Sequence, residues 1–275
     1  MKDIRRDIED MERFEEIIKI LSRNGFGFLL GKFNILNKTG ITSSRKVPGP
    51  ERLRETIEEL GPTFIKFGQV MAQRPDIIPR RYTQELQKLE DDVPEFDSEI
   101  AMEIIKEEID IEEFEYVQEK PIAAASIAQV HRARLKTGEE VILKVRRPEI
   151  SEKIREDLDI LEFMARKGEK EISKLRELKA HKMVEEFANW TRDELNLRKE
   201  AKNAQRLKKN LSDEERVKVP EVFLEHTTEK VLTMEYVDGI KCNNKKELQK
   251  LDVEAEEIAR TAIRAGLKQV IRDGF

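Results

Sequence analysis

The sequence predicts an α+β fold in which a small antiparallel sheet is embedded among helices. Three observations indicate this class. Up to about residue 112 the apolar residues recur at helical spacing. From Phe114 short runs rich in β-branched and aromatic residues replace that pattern, and helical spacing returns from Ser151.

The composition excludes several functional classes. Lys+Arg 52 against Asp+Glu 57 leaves a net charge of −5 with the two signs interleaved, whereas a nucleic-acid-binding surface needs a basic excess on one face. Cys242 is the single cysteine, and no Cys/His group has zinc-ligand spacing. We therefore expect no disulfide, no structural metal and a reducing cytoplasmic location. No apolar run approaches the roughly 20 residues that a membrane-spanning helix needs.

The first 112 residues are predicted to be helical. Residues 1–24 form a charged helix, and residues 34–50 form a linker because they collect Gly, Thr, Ser and Pro. A single helix is predicted over residues 52–73, with its buried face at Leu60, Phe64, Phe67 and Met71. Another helix is predicted around residues 82–89. A further one begins after Asp97 and Ser98, natural N-caps, and places Ile100, Ile104 and Ile105 inward.

Five strands are predicted in the middle of the chain. Residues 114–117, 127–135 and 141–145 form three antiparallel strands, the last two joined by a tight turn at Lys136-Thr-Gly138. Two more strands are predicted over residues 221–226 and 230–234, before Asp238-Gly239 breaks the chain.

Helices separate and follow these strands. One starts at Ser151, a second covers about residues 183–207, and a third covers about residues 254–272. The predicted inner face of the last helix consists of Ile258, Ala262, Leu267 and Ile271. The chain is accordingly divided into four segments, with boundaries 1–50, 51–112, 113–239 and 240–275.

One lysine stands in a sequence pattern that carries chemistry. Val141-Ile-Leu-Lys144 matches the Val-Ala-Ile-Lys pattern, in which a lysine of the third strand presents its ammonium to the α- and β-phosphates of a nucleotide. The surrounding order, three strands, helices and two strands, is that of a protein-kinase-like N-lobe. We therefore predict this fold with an N-terminal helical extension and the first helices of a C-lobe.

A run of small residues lies one hairpin before this lysine. Ala123, Ala124, Ala125 and Ser126 occupy the place where an ordinary kinase has its Gly-rich loop, and side chains of this size let the backbone approach a nucleotide. The alternative is a small-residue seam in helix packing.

The lysine also needs a carboxylate partner. Glu194 and Glu200 are the candidates, and Glu200 is favoured because it lies beside an inward stripe of Leu197, Ala201 and Ala204, stacked on Asn196. After the fifth strand, main-chain groups of Glu235 to Val237 are expected to contact adenine. Met234 either closes the back of that pocket or packs in the core, and Trp190 is expected to be a core residue.

Four sequence blocks carry a resemblance to a known family. The blocks are Gly61-Pro-Thr-Phe-Ile-Lys66-Phe-Gly68-Gln69 with Arg74-Pro-Asp-Ile-Ile-Pro79, then Ala123-Ala-Ala-Ser126-Ile-Ala-Gln129-Val130-His131, then Glu194-Leu-Asn196-Leu-Arg-Lys-Glu200-Ala-Lys-Asn203-Ala, and Val231-Leu-Thr-Met-Glu235-Tyr-Val-Asp-Gly239. Together they resemble the UbiB/AarF family of atypical, protein-kinase-like kinases. One departure is Asn196, since the family usually has Asp there, and the resemblance implies that a negative charge near the phosphates is lost.

The resemblance implies specific roles. It implies that ATP is the cofactor, as Mg-ATP in the complete protein, and that a helical subdomain lies across the nucleotide cleft with Lys66 and Gln69 reaching into it. Gly68 between them would permit close approach to the lobe. The alternative is an ordinary amphipathic helix on which Lys66 extends its ammonium to solvent.

The resemblance also implies a function in isoprenoid-quinone or related lipid metabolism, with lipid or quinone-biosynthesis partners and membrane association of a longer parent chain. In the family a catalytic loop and an Asp-Phe-Gly metal site follow the last helix, whereas this chain ends at Phe275. We therefore expect a catalytically incomplete piece of a longer protein. The alternatives are a non-catalytic nucleotide-binding regulator and a helical interaction protein.

Overall fold

The computed structural model describes residues 2–32, 48–89, 95–240, 242, 244–248, 250 and 254–274. Most of the predicted linker, residues 34–50, lies outside the described residues. The chain divides into two compact units. The helical unit comprises residues 1–94, 125–127 and 148–193, and the sheet unit comprises residues 95–124, 128–147 and 194–275. The four predicted segment boundaries stay predictions.

The helices are numbered in chain order. They are α1 (Lys2–Leu21), α2 (Gly27–Lys32), α3 (Pro50–Leu60), α4 (Pro62–Ala72), α5 (Arg80–Leu86), α6 (Ser98–Glu108), α7 (Ile150–Glu171), α8 (Ser173–Glu177), α9 (Ala180–Glu194), α10 (Leu197–Asn210), α11 (Lys245–Leu248) and α12 (Ala255–Leu267). The strands are β1 (Phe114–Val117), β2 (Ala123–Ala124), β3 (Ala128–Leu135), β4 (Glu140–Arg146) and β5 (Val231–Glu235). The predicted α+β class is confirmed.

A sharp corner divides the predicted helix of residues 52–73, so the prediction of one helix is wrong. α3 ends at Leu60, and Gly61 takes φ +102° and ψ −169°, a conformation that is essentially restricted to glycine. Pro62 then occupies the first turn of α4, where its missing N–H costs nothing because that group has no partner inside the helix. The helical spacing of the apolar residues continues across the corner, which is why it did not reveal the break.

Within the helical unit, buried charged side chains of α1 and α7 are hydrogen-bonded to each other and to residues at the corner between α3 and α4. The Arg13 guanidinium donates to Asp157 Oδ1 at 2.7 Å and to the Leu60 carbonyl at 2.6 Å. The Thr63 hydroxyl donates to Asp157 Oδ2 at 2.6 Å. Burial raises the pKa of Asp157, against the hydrogen bonds from Arg13 and Thr63, which lower it. The corner at Gly61 is therefore fixed by polar contacts as well as by backbone conformation.

The sheet contains five antiparallel strands, but not the predicted five. β1, β3, β4 and β5 lie side by side, and β2 pairs with β3 beyond the end of β1. The predicted strand at residues 221–226 is wrong, because this stretch makes one isolated bridge, Val222 to Met234, and then a 3-10 turn. The fifth strand is instead β2, in the alanine segment.

One face of β4 packs against α6. The residues of this core include Ala101, Ile105, Val141, Leu143 and Val145. Asp97 caps α6 as predicted, since its side chain accepts a hydrogen bond from the Glu99 N–H. The predicted inward position of Ile100 is wrong, because Ile100 is exposed and Ala101 takes its place in the core.

The opposite face of the sheet is covered by α10. A second cluster there contains Leu197, Ala201, Val222 and Leu232, with Ala204 and Met234 at its margin. The predicted single helix over residues 183–207 is wrong, because α9 ends at Glu194 and α10 begins at Leu197. The inward stripe of α10 was predicted correctly, and Met234 packs against it.

The last helix differs from its prediction. Ala265 is its buried residue, whereas Leu267 is 54% exposed and Ile271, in the π-helical turn that follows, is 78% exposed. Periodicity locates an apolar stripe but does not say what covers it. Of the helices in the described part of the chain, none has the length and hydrophobicity that crossing a membrane requires.

Candidate functional site

Lys144 and Glu200 meet on the α10 face of the sheet. The Lys144 Nζ atom lies 2.8 Å from Glu200 Oε1 and 2.8 Å from Oε2, so the ammonium is held by both carboxylate oxygens. Both side chains are partly buried. The predicted contact is therefore formed across 56 positions of sequence, and the catalytic roles assigned to it stay predictions.

The pleat of β4 and the stripe of α10 explain why this pair forms. Successive residues of a strand point to opposite faces, so buried Leu143 and Val145 leave Lys144 on the other face. Lys144 is paired in register with Leu232, which packs against α10. Fully buried Ala201 anchors α10 there, and its neighbour Glu200 reaches the ammonium.

A second set of contacts holds the beginning of α10, and the sequence prediction missed it. Arg146 lies on the same face of β4 as Lys144 and donates from Nη1 to the Leu195 carbonyl at 2.7 Å and to the Glu229 carbonyl at 3.4 Å. The Leu197 N–H donates to the same Glu229 carbonyl at 3.2 Å. The available signal was spacing, because residues two apart on a strand share a face.

Asn196 lies just before α10 and not inside a continuous helix. It is the N-cap of α10, and its Oδ1 atom accepts hydrogen bonds from the Arg198 and Lys199 N–H groups. Its Nδ2 atom donates to Glu229 Oε1 at 3.0 Å. Both polar atoms of the Asn196 side chain are therefore engaged in holding the start of α10. Glu194, the other candidate partner of Lys144, is the last residue of α9.

The alanine segment is extended, which makes the alternative of a helix-packing seam wrong. Ala123 pairs with Val130 and Ala124 with Gln129. Ala125 is exposed and Ser126 is buried, and the chain bends at Ser126 and Ile127. The nucleotide contacts assigned to this segment stay predictions.

Within the sheet unit, a series of buried hydrogen bonds runs through Gln129 and His131 of β3, the strand that pairs with β2. The Phe96 N–H donates to Gln129 Oε1 at 3.0 Å, and Gln129 Nε2 lies 3.0 Å from His131 Nε2. His131 Nδ1 lies 2.9 Å from the Gln118 carbonyl, which can only accept, so Nδ1 carries the proton and Nε2 accepts from Gln129. Burial lowers the pKa of His131. The Gln129 and His131 side chains are therefore both hydrogen-bonded when the His131 ring is neutral.

Two main-chain donors at the end of β5 and directly after it are engaged. The Glu235 N–H donates to the Glu221 carbonyl at 2.8 Å, and the Tyr236 N–H donates to the Glu140 carbonyl at 2.9 Å. Val237 supplies the next N–H along the chain. A hydrogen bond from Lys218 lowers the pKa of the Glu235 carboxyl.

Lys66, Gly68 and Gln69 all belong to the helical unit. The Lys66 ammonium lies 4.8 Å from the ring centre of Trp190, which is 53% exposed, so the prediction of a core tryptophan is wrong. Gln69 Nε2 donates to the Leu89 carbonyl at 3.3 Å. Gly68 is buried against Leu89 and Ile57 of its own unit, so this is the close approach that it permits. The predicted insertion into a nucleotide cleft stays a prediction.

The described residues contain no cluster of three or more His, Cys, Asp or Glu side chains with the arrangement of a metal site. An ammonium such as that of Lys144 matches phosphate chemically, and main-chain groups match the edge of a base. The nucleotide contacts assigned to Lys144 and to the main chain around Val237 stay predictions.

Comparisons with known proteins identify relatives of the chain. A family model described as the ABC1 atypical kinase-like domain matches residues 88–275. Over 249 residues the chain is 41% identical to the Arabidopsis thaliana protein named ACTIVITY OF BC1 COMPLEX KINASE 8, chloroplastic. That match covers 86% of this chain and 32% of the relative, so the chain spans about a third of the relative's length.

A solved structure, titled as the complex of Rv3197 with erythromycin from Mycobacterium tuberculosis, is 28% identical. The match covers 67% of this chain and 47% of that one, with a TM-score of 0.45. At that score the superposition adds nothing to the assignment of the fold.

Proposed function

Because this chain belongs to the ABC1 atypical kinase-like family, as its resemblance to the UbiB/AarF proteins predicted, we propose that it binds ATP through the sheet unit. The observation that carries the proposal is the ion pair between Lys144 and Glu200. A carboxylate whose two oxygens both contact an ammonium orients it, which is what contact with the α- and β-phosphates requires.

Other groups have parts in this proposal. The small side chains of Ala123 and Ala124 let the backbone of β2 approach the triphosphate. The carbonyl of Glu235 and the N–H of Val237 bind the adenine edge. Bound Mg-ATP would supply the transferable phosphoryl group, and the chain's own residues orient it.

For the whole protein we propose an atypical kinase or ATPase that acts in isoprenoid-quinone or related lipid metabolism. The support is family membership and a relative named ACTIVITY OF BC1 COMPLEX KINASE 8. The single, exposed Cys242 agrees with a reducing compartment, and we propose the cytoplasm with membrane association of the complete protein.

The test is nucleotide binding by the chain and its Lys144→Ala variant, measured by calorimetry with a non-hydrolysable ATP analogue and Mg²⁺. We expect the dissociation constant to rise by roughly tenfold or more, because one charge-assisted contact to phosphate is lost. Lys136→Ala, in the exposed β3–β4 turn of the same sheet, is the matched control and should bind normally. Equal affinity of the Lys144→Ala variant and the parent chain would refute the assigned pocket.

A further inference from the structure

We infer that Arg146 is a positioning residue that holds the beginning of α10 and thereby keeps Glu200 on Lys144. For its effect on nucleotide affinity this inference rests on the proposed function. For its effect on α10 it stands alone. Arg146 lies in none of the four motif blocks, and nothing in the family match assigns it a role.

Two side chains of β4, Lys144 and Arg146, hold the start of α10, and we call this pair of contacts the clamp. Lys144 and Arg146 share a face of β4, and both reach α10 or the residues immediately before it. Lys144 binds the side chain of Glu200. Arg146 binds the main-chain carbonyl of Leu195, which precedes the N-cap.

The turn before β5 completes the clamp. Arg146 also reaches the Glu229 carbonyl at 3.4 Å, its own N–H donates to the Lys230 carbonyl at 2.8 Å, and Leu197 donates to the Glu229 carbonyl at 3.2 Å. The guanidinium therefore joins β4, the turn and the start of α10. A guanidinium suits this task because its N–H groups form a rigid fork that can serve two carbonyls.

Loss of the clamp should act on Glu200 through the first turn of α10. A terminal helical turn has few hydrogen bonds of its own and frays readily. Glu200 lies in that turn, so fraying would increase the time during which the carboxylate is away from the ammonium.

The first test is hydrogen exchange without nucleotide. In the Arg146→Ala variant the amides of residues 198–201 should exchange on the order of tenfold faster. Arg134→Ala is the matched control, because this arginine of the same sheet pairs with exposed Glu115 and with Glu140, away from α10. Unchanged exchange at residues 198–201 in the Arg146 variant would overturn the inference, whatever the outcome for nucleotide binding.

The second test is a double-mutant cycle on affinity for the ATP analogue. Arg146→Ala alone should weaken binding by roughly five- to tenfold, and it should have almost no further effect in a Glu200→Ala background. Arg146→Lys, which keeps a positively charged donor group but not the planar fork, should recover part of the loss. Additive effects of the two alanine substitutions would mean that Arg146 does not act through Glu200, and would overturn the inference.

The two failures can be told apart. If Lys144→Ala leaves affinity unchanged while Arg146→Ala accelerates exchange in α10, the proposed function fails and the positioning of α10 stands. If Arg146→Ala yields too little folded protein, Arg146→Lys carries both tests, with smaller changes in the same direction expected and equality with the parent chain counting against the inference.

Discussion

Gly68 determines how closely α4 approaches its neighbours. A Cβ atom on this residue would lie 2.6 Å from Leu89 Cδ1 and 3.3 Å from Ile57 Cδ1. Leu89 is itself buried in a cluster with Met71 and Leu86, so it has little room to move. We expect Gly68→Ala to lower the free energy of unfolding by about 1–3 kcal/mol, a typical cost of overpacking, as measured by urea denaturation.

Gly266 provides the control for this substitution. It lies in α12, and a Cβ atom there would meet no atom within 4 Å. Gly266→Ala should stabilise by about 0.5–1 kcal/mol, because alanine loses less backbone entropy in a helix. If Gly68→Ala were as stabilising as Gly266→Ala, the close packing of α4 described above would be wrong.

At the scale of residues, motifs predicted more than periodicity did. Lys144 and Glu200 were paired because a strand lysine with phosphate chemistry needs a carboxylate. Arg146 was missed because strand spacing gives its face but not its partners, which are main-chain carbonyls without a sequence signature. Trp190 was misplaced because apolar character alone does not distinguish a core ring from an exposed ring that contacts an ammonium.

Among the elements, α10 depends on its N-cap. Asparagine and aspartate cap a helix about equally well, but here Asn196 also donates to the Glu229 carboxylate. Asn196→Asp would place two carboxylates at that distance. We expect it to lower the free energy of unfolding by about 0.5–1 kcal/mol in low salt, the usual scale for exposed charge pairs, and less in high salt.

Glu229→Gln tests the cause of that effect. In the Asn196→Asp background it removes the repulsion and supplies a donor, so most of the loss should be recovered. Absence of recovery would show that the cap itself, and not the facing carboxylate, is sensitive to the change. The same contact gives asparagine an interaction at position 196 that an ionised aspartate could not make, because a carboxylate has no donor.

Element boundaries were predictable where a side chain marks them and not where the backbone does. Asp97 marked the start of α6. The corner at Gly61 and the break before Leu197 were missed, because the apolar spacing on either side remains compatible with one helix. β2 was missed because two alanines carry little strand propensity and owe their conformation to pairing with β3.

For the molecule as a whole, the stability of the sheet unit should depend on pH through His131. Burial lowers the pKa of His131 below its ordinary value of 6.5, while backbone contacts at Gln118 and Glu119 and the charge of Glu95 act in the opposite direction. Protonation would also turn Nε2 of His131 into a donor that faces the Nε2 donor of Gln129. The series of hydrogen bonds from His131 through Gln129 to Phe96 would then be broken.

The sign of this dependence follows from proton linkage. Between the lowered pKa of the folded state and 6.5, the unfolded state binds more protons than the folded state, so the free energy of unfolding rises with pH. The contribution should be fully present above about pH 6.5 and should be lost as the pH falls through that value towards the folded pKa.

Urea denaturation between pH 5 and 8 and an NMR titration of the His131 ring measure the two sides of this linkage. We expect His131→Asn, which keeps a donor and an acceptor but does not titrate, to be less stable at pH 8 and to have a smaller slope against pH. A ring signal of His131 that titrates above 6.5 would contradict the prediction even if the variant does not fold, because a buried, hydrogen-bonded neutral imidazole must bind its proton less readily than one in water.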